Sequence, residues 1–275
     1  MWSSEDMAKV AVVTEKPKIF HLVSKKLKEL GIPFYSLLPV EKIPQDVVII
    51  LTSIEEVEKI QKNINAHIIA TSANMDDIKK AILKMKVLLT GYRRKAQVVI
   101  GIDPGDIYGV VVTFEGKVID TGLFHSPHEV ANYIKLVENA LLSFSKGELI
   151  IKIGNGSPLH QRWLFRYLKN AQLRASYEIV DETYTTMTRT KFRKRDITAA
   201  MLISKKKGRI IDLDQTDISL KPGEIKHIQA RSRVLSNGKI TISWNLAEKV
   251  AKGEISLKKA VKIMEDRMKP GGKNV

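Results

Sequence analysis

The sequence predicts an α/β protein in which a small α/β domain precedes a second domain built on a mixed sheet. Over residues 8–92, short β-branched segments alternate with amphipathic segments of helical period. From residue 96, three strand patterns joined by short turns come before the first long helical pattern, and strand and helix patterns then alternate as far as residue 208. Residues 209–275 form a basic C-terminal extension in which two short helices are predicted.

The first domain contains four strand patterns. We predict strands over residues 10–14, 33–38, 47–51 and 67–70, and helices over residues 19–30, 54–64 and 75–89. A phosphoacceptor receiver domain needs an aspartate after the third strand and a Toprim domain needs an Asp-x-Asp there, whereas this chain continues with Thr52-Ser53-Ile54. We therefore interpret the first domain as a structural or interaction domain.

The second domain opens with three strands. We predict strands over residues 98–103, 107–114, 117–124, 148–153 and 176–180, and helices over residues 126–144, 158–170 and 196–204. Ser126 and Glu129 have the spacing of a capping box at the start of the longest helix. In the extension, Pro222-Gly223 and Asn237-Gly238 predict turns, and the two helices are expected over residues 243–251 and 257–268.

The composition limits the classes of function. The chain has 46 Lys and Arg against 30 Asp and Glu, a formal net charge of +16, which favours a polyanionic partner. It has no cysteine, so disulfides, thiolate metal sites and cysteine nucleophiles are excluded. No signal peptide or membrane-spanning pattern is found, and we expect a cytoplasmic protein with no membrane partner. The histidines have no metal-binding spacing, so a zinc site is not predicted.

Carboxylates occur where predicted strands end. Asp103 ends the strand that begins the second domain, Asp181 and Glu182 follow its fifth strand, and Asp196 begins a helix rich in small residues. Each position alone also fits a simple structural role, because Asp is common in turns and as a helix N-cap. Together, the three positions predict acids that meet at one edge of the sheet.

Three motifs in this order resemble the RuvC/YqgF branch of the RNase H-like superfamily, including an archaeal group of predicted nucleases. Gly101-Ile102-Asp103-Pro104-Gly105 resembles the opening motif of RuvC-type resolvases, and Asp181-Glu182-Thr183-Tyr184-Thr185-Thr186 resembles the acidic motif of YqgF proteins. Asp196 with Ala199-Ala200 resembles the final helix of both. An actin-like ATPase also begins with Gly-Ile-Asp, but it needs a second such domain and a second glycine-rich loop, which we do not find.

The resemblance implies an RNase H-like mixed sheet and a divalent-metal-dependent endonuclease that hydrolyses phosphodiester bonds in structured DNA or RNA. It implies Asp103, Glu182 and Asp196 as catalytic residues, and these three with Asp181 as ligands of Mg²⁺ or Mn²⁺. Two departures stand out: no acid ends the strand at 148–153, where RuvC resolvases have a glutamate, and Thr183 replaces the arginine of YqgF proteins. The alternative is a nucleic-acid-binding protein on the same scaffold that does not cleave.

Basic residues are concentrated around these acids. Between Lys152 and Arg209, fourteen Lys and Arg face four acids. Phosphate contacts of nucleic acids use such residues. The predicted nucleic-acid-binding residues are Lys152, Asn155, Arg162, Arg189, Lys191, Arg193, Lys194, Arg195, Lys205, Lys206 and Lys207. A homodimer is suggested by analogy with resolvases, which cut two strands symmetrically.

Overall fold

A computed structural model of the chain describes residues 9–60, 65–91, 96–145, 149–182, 192–216 and 218–268, without the side chains of 143–145 and 192–194. The chain forms two compact units. The first unit contains Met1–Ala96 and Leu136–Gly147, and the second contains Gln97–Lys135 and Glu148–Val275. The α/β class predicted from the sequence is confirmed, and the C-terminal extension belongs to the second unit. None of the helices in the described ranges is both long and apolar enough to cross a membrane.

The first unit contains a four-stranded parallel sheet with the order β2-β1-β3-β4. Its elements are β1 Val10–Val13, α1 Pro17–Glu29, β2 Phe34–Leu37, β3 Ile49–Ser53, a 3₁₀ helix Ile54–Lys59, β4 His67–Thr71 and α2 Met75–Leu89. Both faces of the sheet are buried. Val10 and Val12 face a cluster with residues of α1 and α2, while Ala11 and Val13 pack in a second cluster with Ile50. Parallel sheets need this burial on both faces.

The helix predicted over residues 54–64 is wrong within its described part, which is a short 3₁₀ helix. The Glu56 side chain turns back to the ends of β1 and β3, where it accepts hydrogen bonds from Thr14 and Ser53. Ile54, which the helical pattern counted as apolar and inward, is exposed. This local bonding competes with a regular helix. Residues 61–64 lie outside the described ranges.

The second unit contains a six-stranded sheet with the order β10-β9-β8-β5-β6-β7. Its strands are β5 Val98–Asp103, β6 Tyr108–Phe114, β7 Lys117–Phe124, β8 Leu149–Gly154, β9 Ala175–Val180 and β10 Arg209–Ile211. Its helices are α4 Pro158–Asn170, α5 Phe192–Lys205, α6 Pro222–Leu235, α7 Trp244–Ala251 and α8 Leu257–Met268, and α3 Pro127–Ser145 divides between the units. Strands β5, β8 and β9 are parallel, whereas β6 is antiparallel to β5 and β7, and β10 is antiparallel to β9.

The N-terminus of α3 confirms the Ser126 cap, but the Glu129 carboxylate accepts from His125 rather than from the N-cap residue that a capping box requires. The Glu129 backbone N–H donates to Ser126 Oγ at 3.2 Å, and the Glu129 carboxylate accepts from the backbone N–H of His125 at 3.1 Å. This capping satisfies backbone donors that a helix start leaves free. The long helix therefore begins where the sequence predicts.

Two elements of the second unit were not predicted, namely β10 and α6. The dipeptide Pro222-Gly223 begins α6 rather than forming a turn, because proline is tolerated in the first turn of a helix. The pattern is hidden because buried Glu224 interrupts the apolar face formed by Ile225 and Ile228. From the sequence alone, a glutamate is assigned to the surface unless a partner for its charge is known. The partner of Glu224 is Arg166 of α4.

Candidate active site

Asp103 lies at the end of β5, and the elements around it bring two further acids near. In the sheet register, Asp103 pairs with Gly109 of β6. A Cβ atom at Gly109 would overlap the backbone of Asp196, and one at Gly101 would overlap the carbonyl of Ala200. Because both positions are glycine, the backbone of α5 lies directly on β5 and β6, and this contact places Asp196 beside the end of β5.

Asp196 lies inside α5 and does not cap it. The helix begins at Phe192, four residues before the predicted start, so Asp196 follows its first turn. The simple interpretation of Asp196 as an N-cap is therefore wrong. The Asp196 side chain is half-buried, and burial raises the pKa of its carboxyl against the lowering effect of the Arg195 charge.

Glu182 reaches the same edge from the chain that follows β9. Its Oε1 accepts a hydrogen bond from the backbone N–H of Gly156 at 2.8 Å, and its own backbone N–H donates to Asn155 Oδ1 at 3.1 Å. A Cβ atom at Gly154 would overlap Glu182 Oε1. Gly154 is the last residue of β8, which runs parallel to β5, and Asn155 and Gly156 follow it. These three residues, the Gly-Asn-Gly loop, contact both the carboxylate and the backbone of Glu182.

The electrostatics of Asp103 reflect this convergence. Burial raises the pKa of the Asp103 carboxyl to about 7, and the charges of Glu182 and Asp196 add to the rise while Arg195 opposes it. Asp103 accepts no hydrogen bond from the residues that the structure describes. Acids that raise one another's pKa in this way form a region of negative potential, which a cation would relieve.

The structure separates Asp181 from this group. Asp181 is exposed, and Asn155 Nδ2 donates to its carboxylate at 3.5 Å, while its backbone carbonyl accepts from Lys206 Nζ. Its charge is not among the causes that shift the pKa of Asp103. Of the two adjacent acids, Glu182 is the one whose charge raises the pKa of Asp103.

Several predicted nucleic-acid-binding residues make contacts inside the protein. Lys152 Nζ donates to the carbonyl of Lys206 at 2.7 Å and lies 3.4 Å from Glu178, with its side chain 12% exposed. Arg162 Nε donates to Glu224 Oε1 at 2.8 Å. These two side chains are held by other parts of the fold, and their predicted contact with phosphate stays a prediction. Asn155 holds the backbone of Glu182, as described above.

Other basic positions remain at the surface. Arg195, Lys205 and Lys207 are exposed, and Lys206 is half-buried. The charge of Arg195 acts on both Asp103 and Asp196, which places this residue beside the acids. The predicted residues Arg189 and Lys191, and the side chains of Arg193 and Lys194, lie outside the described part of the chain.

A second cluster of potential metal ligands was missed by the sequence interpretation. One ligand atom each from Asp106, His160 and His227 lies within 4.8 Å of the others. This is the one group of at least three such residues that meets this distance within the described ranges, so Asp103, Glu182 and Asp196 are more widely spaced. The histidines come from α4 and α6, 67 positions apart in the sequence. Their proximity has no signature in local spacing, and it depends on the unpredicted helix α6.

The first unit has its own carboxylate at the ends of parallel strands. Glu56 is 1% exposed and accepts hydrogen bonds from Thr14 Oγ1 at 2.5 Å, from Ser53 Oγ at 2.6 Å and from the backbone N–H of Glu15 at 2.8 Å. Burial raises the pKa of Glu56, but these hydrogen bonds outweigh it and the net pKa is lowered. The charge of Glu56 is thus satisfied within the fold.

Comparisons with known families concern the two ends of the chain. Residues 9–90 match a family model described as a response regulator receiver-like domain, and residues 221–266 match one described as a three helical bundle domain. No curated protein matches the chain. Neither family match includes Asp103, Glu182 or Asp196.

The receiver-like match changes the interpretation of the first unit. The strand order β2-β1-β3-β4 agrees with the doubly wound order of receiver domains, so setting aside a receiver fold was wrong. The observation behind that interpretation still holds, because β3 ends on Ser53 and provides no phosphoacceptor aspartate. The first unit is thus similar to a receiver in fold, while the edge of its sheet holds the internally bonded Glu56.

Proposed function

We propose that residues 97–205 form an RNase H-like domain and that the protein is a divalent-metal-dependent nuclease. The observation that carries the proposal is the convergence of Asp103, Glu182 and Asp196 from three separate elements at one edge of the sheet. Oxygen-rich sites of this kind suit Mg²⁺ and Mn²⁺. As in the resemblance noted from the sequence, we place the protein near RuvC/YqgF-type nucleases.

The order of strands supports the same proposal. Three antiparallel strands, β5 to β7, are followed by β8 and β9, which lie on the other side of β5 and run parallel to it. Helix α5 then returns across β5 and β6. An RNase H-like domain has this order, with its acids at the end of the first strand, after later strands and on the last helix.

The chemistry of the donors fits hard cations. All three side chains offer carboxylate oxygens, which Mg²⁺ and Mn²⁺ prefer, and these oxygens lie farther apart than the 4.8 Å of the compact cluster described above. When bound, such ions would activate a water molecule and stabilise the leaving oxygen of a phosphodiester. Asp103, Glu182 and Asp196 are the residues that would hold them.

The protein contributes position and charge. The Gly-Asn-Gly loop fixes the backbone and carboxylate of Glu182, and the close contact of α5 with β6 fixes Asp196. Arg195 places a positive charge next to these acids, where it can bind a substrate phosphate. The exposed Lys205 and Lys207 extend this positive surface along the end of α5.

Cleavage assays with matched variants test the proposal. The full chain is incubated with branched DNA, duplex RNA and single-stranded RNA in Mg²⁺ or Mn²⁺, and we expect cleavage of one substrate class that Asp103→Asn abolishes. Asp181→Asn is the matched control, because Asp181 is separated from the site. Cleavage that Asp103→Asn leaves unchanged would refute the site. Salt-sensitive binding without cleavage of any substrate would instead support the non-cleaving alternative.

A further inference from the structure

We propose that Asp106, His160 and His227 form a binding site for a transition-metal ion of the zinc type, separate from the acidic site. Asp106 lies between β5 and β6, His160 lies on α4 and His227 lies on α6. All three belong to the second unit. Two imidazole nitrogens with one carboxylate oxygen are a common ligand set of zinc sites that keep one position open.

The distances suit a single ion. His160 Nε2 lies 3.5 Å from Asp106 Oδ1, and the ligand atoms of all three residues lie within 4.8 Å. Bonds to zinc of about 2.0–2.2 Å place neighbouring tetrahedral ligands roughly 3.4 Å apart. The pair of His160 and Asp106 has about this spacing, and the His227 ligand atom lies within 4.8 Å of both.

The two histidines present unpartnered nitrogens to the cluster. His160 is 8% exposed, and the Nε2 atoms of His160 and His227 are both buried without a hydrogen-bond partner among the described residues. The rings lie 5.2 Å apart at an interplanar angle of 87°. A buried polar atom without a partner is costly, and binding of a metal ion would remove that cost for both nitrogens.

Ser157 contacts the ring nitrogen of His160 on the side away from the cluster. Ser157 Oγ lies 2.7 Å from His160 Nδ1. If the ring donates its Nδ1 hydrogen to this hydroxyl, the lone pair of Nε2 faces the cluster. Metal-ligating histidines typically have such a second hydrogen bond, which fixes both tautomer and ring orientation.

Arg231 is the main positive charge near the cluster. Its guanidinium donates to Asp106 Oδ1 at 2.9 Å, to the backbone carbonyls of Asp106 and His125, and lies over the ring of Trp163. These contacts hold Arg231 on one side of the carboxylate. His160 Nε2 approaches the same oxygen, Asp106 Oδ1, so an ion bound between them would share this oxygen with Arg231.

Ligand chemistry distinguishes this site from the acidic one. Imidazole nitrogens favour zinc and related first-row ions, whereas Mg²⁺ prefers an all-oxygen site. The Asp106 side chain is 80% exposed and borders a cavity of about 560 Å³, so solvent reaches the carboxylate. The bound ion would join the β5–β6 turn to α4 and α6, and so fix helix α6 against the sheet domain of the same unit.

Metal-binding measurements on the full-length protein test this inference. After removal of metals with a chelator, titration with Zn²⁺ should give one tight site, and Co²⁺ in its place should give the visible absorption of a four-coordinate ion. We expect His160→Gln and His227→Gln to weaken binding by more than about 100-fold, and Ser157→Ala to weaken it by about 10- to 100-fold. His125→Gln and His128→Gln are the matched controls, because these nearby histidines lie outside the cluster.

The outcomes separate metal binding from folding and from the proposed function. Thermal unfolding of each variant in chelator reports whether it folds, and Ser157→Ala, which changes one partly exposed hydroxyl, gives a result even if the histidine variants unfold. Equal loss of Zn²⁺ binding in the control variants, or no tight Zn²⁺ site in the wild type, would overturn the inference. Asp103→Asn should leave Zn²⁺ binding unchanged, so failure of the nuclease proposal leaves this result intact.

Discussion

Each unit has a carboxylate at the ends of parallel strands, and the surroundings shift the pKa values of these two carboxylates in opposite directions. Glu56 in the first unit accepts three hydrogen bonds, and its net pKa is lowered. Asp103 in the second unit is half-buried, but Glu182 and Asp196 act on it, and its pKa is raised to about 7. Hydrogen bonds within the fold stabilise the charge of Glu56, whereas Asp103 accepts none from the described residues.

The largest expected difference between these sites is in Mg²⁺ binding. We expect Asp103→Asn to weaken binding of Mg²⁺ by more than about 100-fold, because it removes the central charged ligand. Glu56→Gln should leave binding unchanged. Mg²⁺ is chosen because the Asp106 and histidine cluster disfavours it. The measurement is the rise in unfolding temperature with Mg²⁺ concentration, and an undiminished rise in Asp103→Asn would refute the comparison.

The second largest effect is expected at Gly154, because the Glu182 carboxylate lies where a Cβ atom of this residue would be. Gly154→Ala places a Cβ atom against Glu182 Oε1 and 2.8 Å from Ile203 Cδ1, so the carboxylate must move. We expect a loss of about 1–3 kcal/mol in the free energy of unfolding, together with weaker Mg²⁺ binding. Gly223→Ala is the control, since a Cβ atom there meets nothing within 4 Å. Unaltered Mg²⁺ binding in a folded Gly154→Ala protein would show that Glu182 is not a ligand.

Neutralising the two carboxylates should change stability in opposite directions. Glu56→Gln replaces an acceptor of three hydrogen bonds with an amide that cannot accept all of them, and we expect a loss of about 1–3 kcal/mol. Asp103→Asn removes repulsion with Glu182 and Asp196, and we expect a gain of about 1 kcal/mol without metal. Urea unfolding in chelator at neutral pH measures both. A loss of stability in both variants would mean that the Asp103 charge is internally satisfied as well.

The sequence predicted the parts of the fold that depend on local patterns. The bounds of β5, β7, α2, α4 and α8 agree with the prediction, because strong periodicity and clear turn or cap residues mark their ends. Two predictions failed for the same reason. A regular helix was predicted over 54–64, where the described part is a short 3₁₀ helix, and a turn was predicted where α6 begins. In each, a buried glutamate depends on partners distant in the sequence, Thr14 for Glu56 and Arg166 for Glu224.

The candidate sites also differ in whether they depend on local sequence patterns or on contacts between residues distant in the sequence. Asp103, Glu182 and Asp196 could be selected because Asp103 ends a recognisable strand, Glu182 follows one and Asp196 lies near the start of a recognisable helix. The cluster of Asp106, His160 and His227 could not be selected, because it requires knowing that α6 exists and packs near α4. The basic residues stay a prediction, and composition alone does not distinguish Arg162, which is paired with Glu224, from the exposed Lys205.

The smallest expected difference between Asp103 and Glu56 is in how each makes the free energy of unfolding depend on pH. In metal-free protein, the raised pKa of Asp103 makes the folded state hold its proton more tightly than the unfolded state, so stability present below the ordinary value of 3.8 is lost as pH rises to about 7. The lowered pKa of Glu56 acts in reverse, because its contribution is present above 4.5 and is lost as pH falls below that value.

Between about pH 5 and about pH 8, His160, His227 and Asp196 also have shifted pKa values, so it is the difference between the wild type and Asp103→Asn in unfolding free energy in chelator that isolates Asp103. We expect Asp103 to contribute a loss of roughly 1 kcal/mol of stability between these pH values, less than the full shift implies because Asp103 is only partly buried. Asp103→Asn should remove that loss and Glu56→Gln should retain it. Saturating Mg²⁺ should also remove it in the wild type, because the ion takes the place of the proton. A loss that persists in Asp103→Asn would assign the titration to another group and remove the electrostatic argument for a cation at this edge of the sheet.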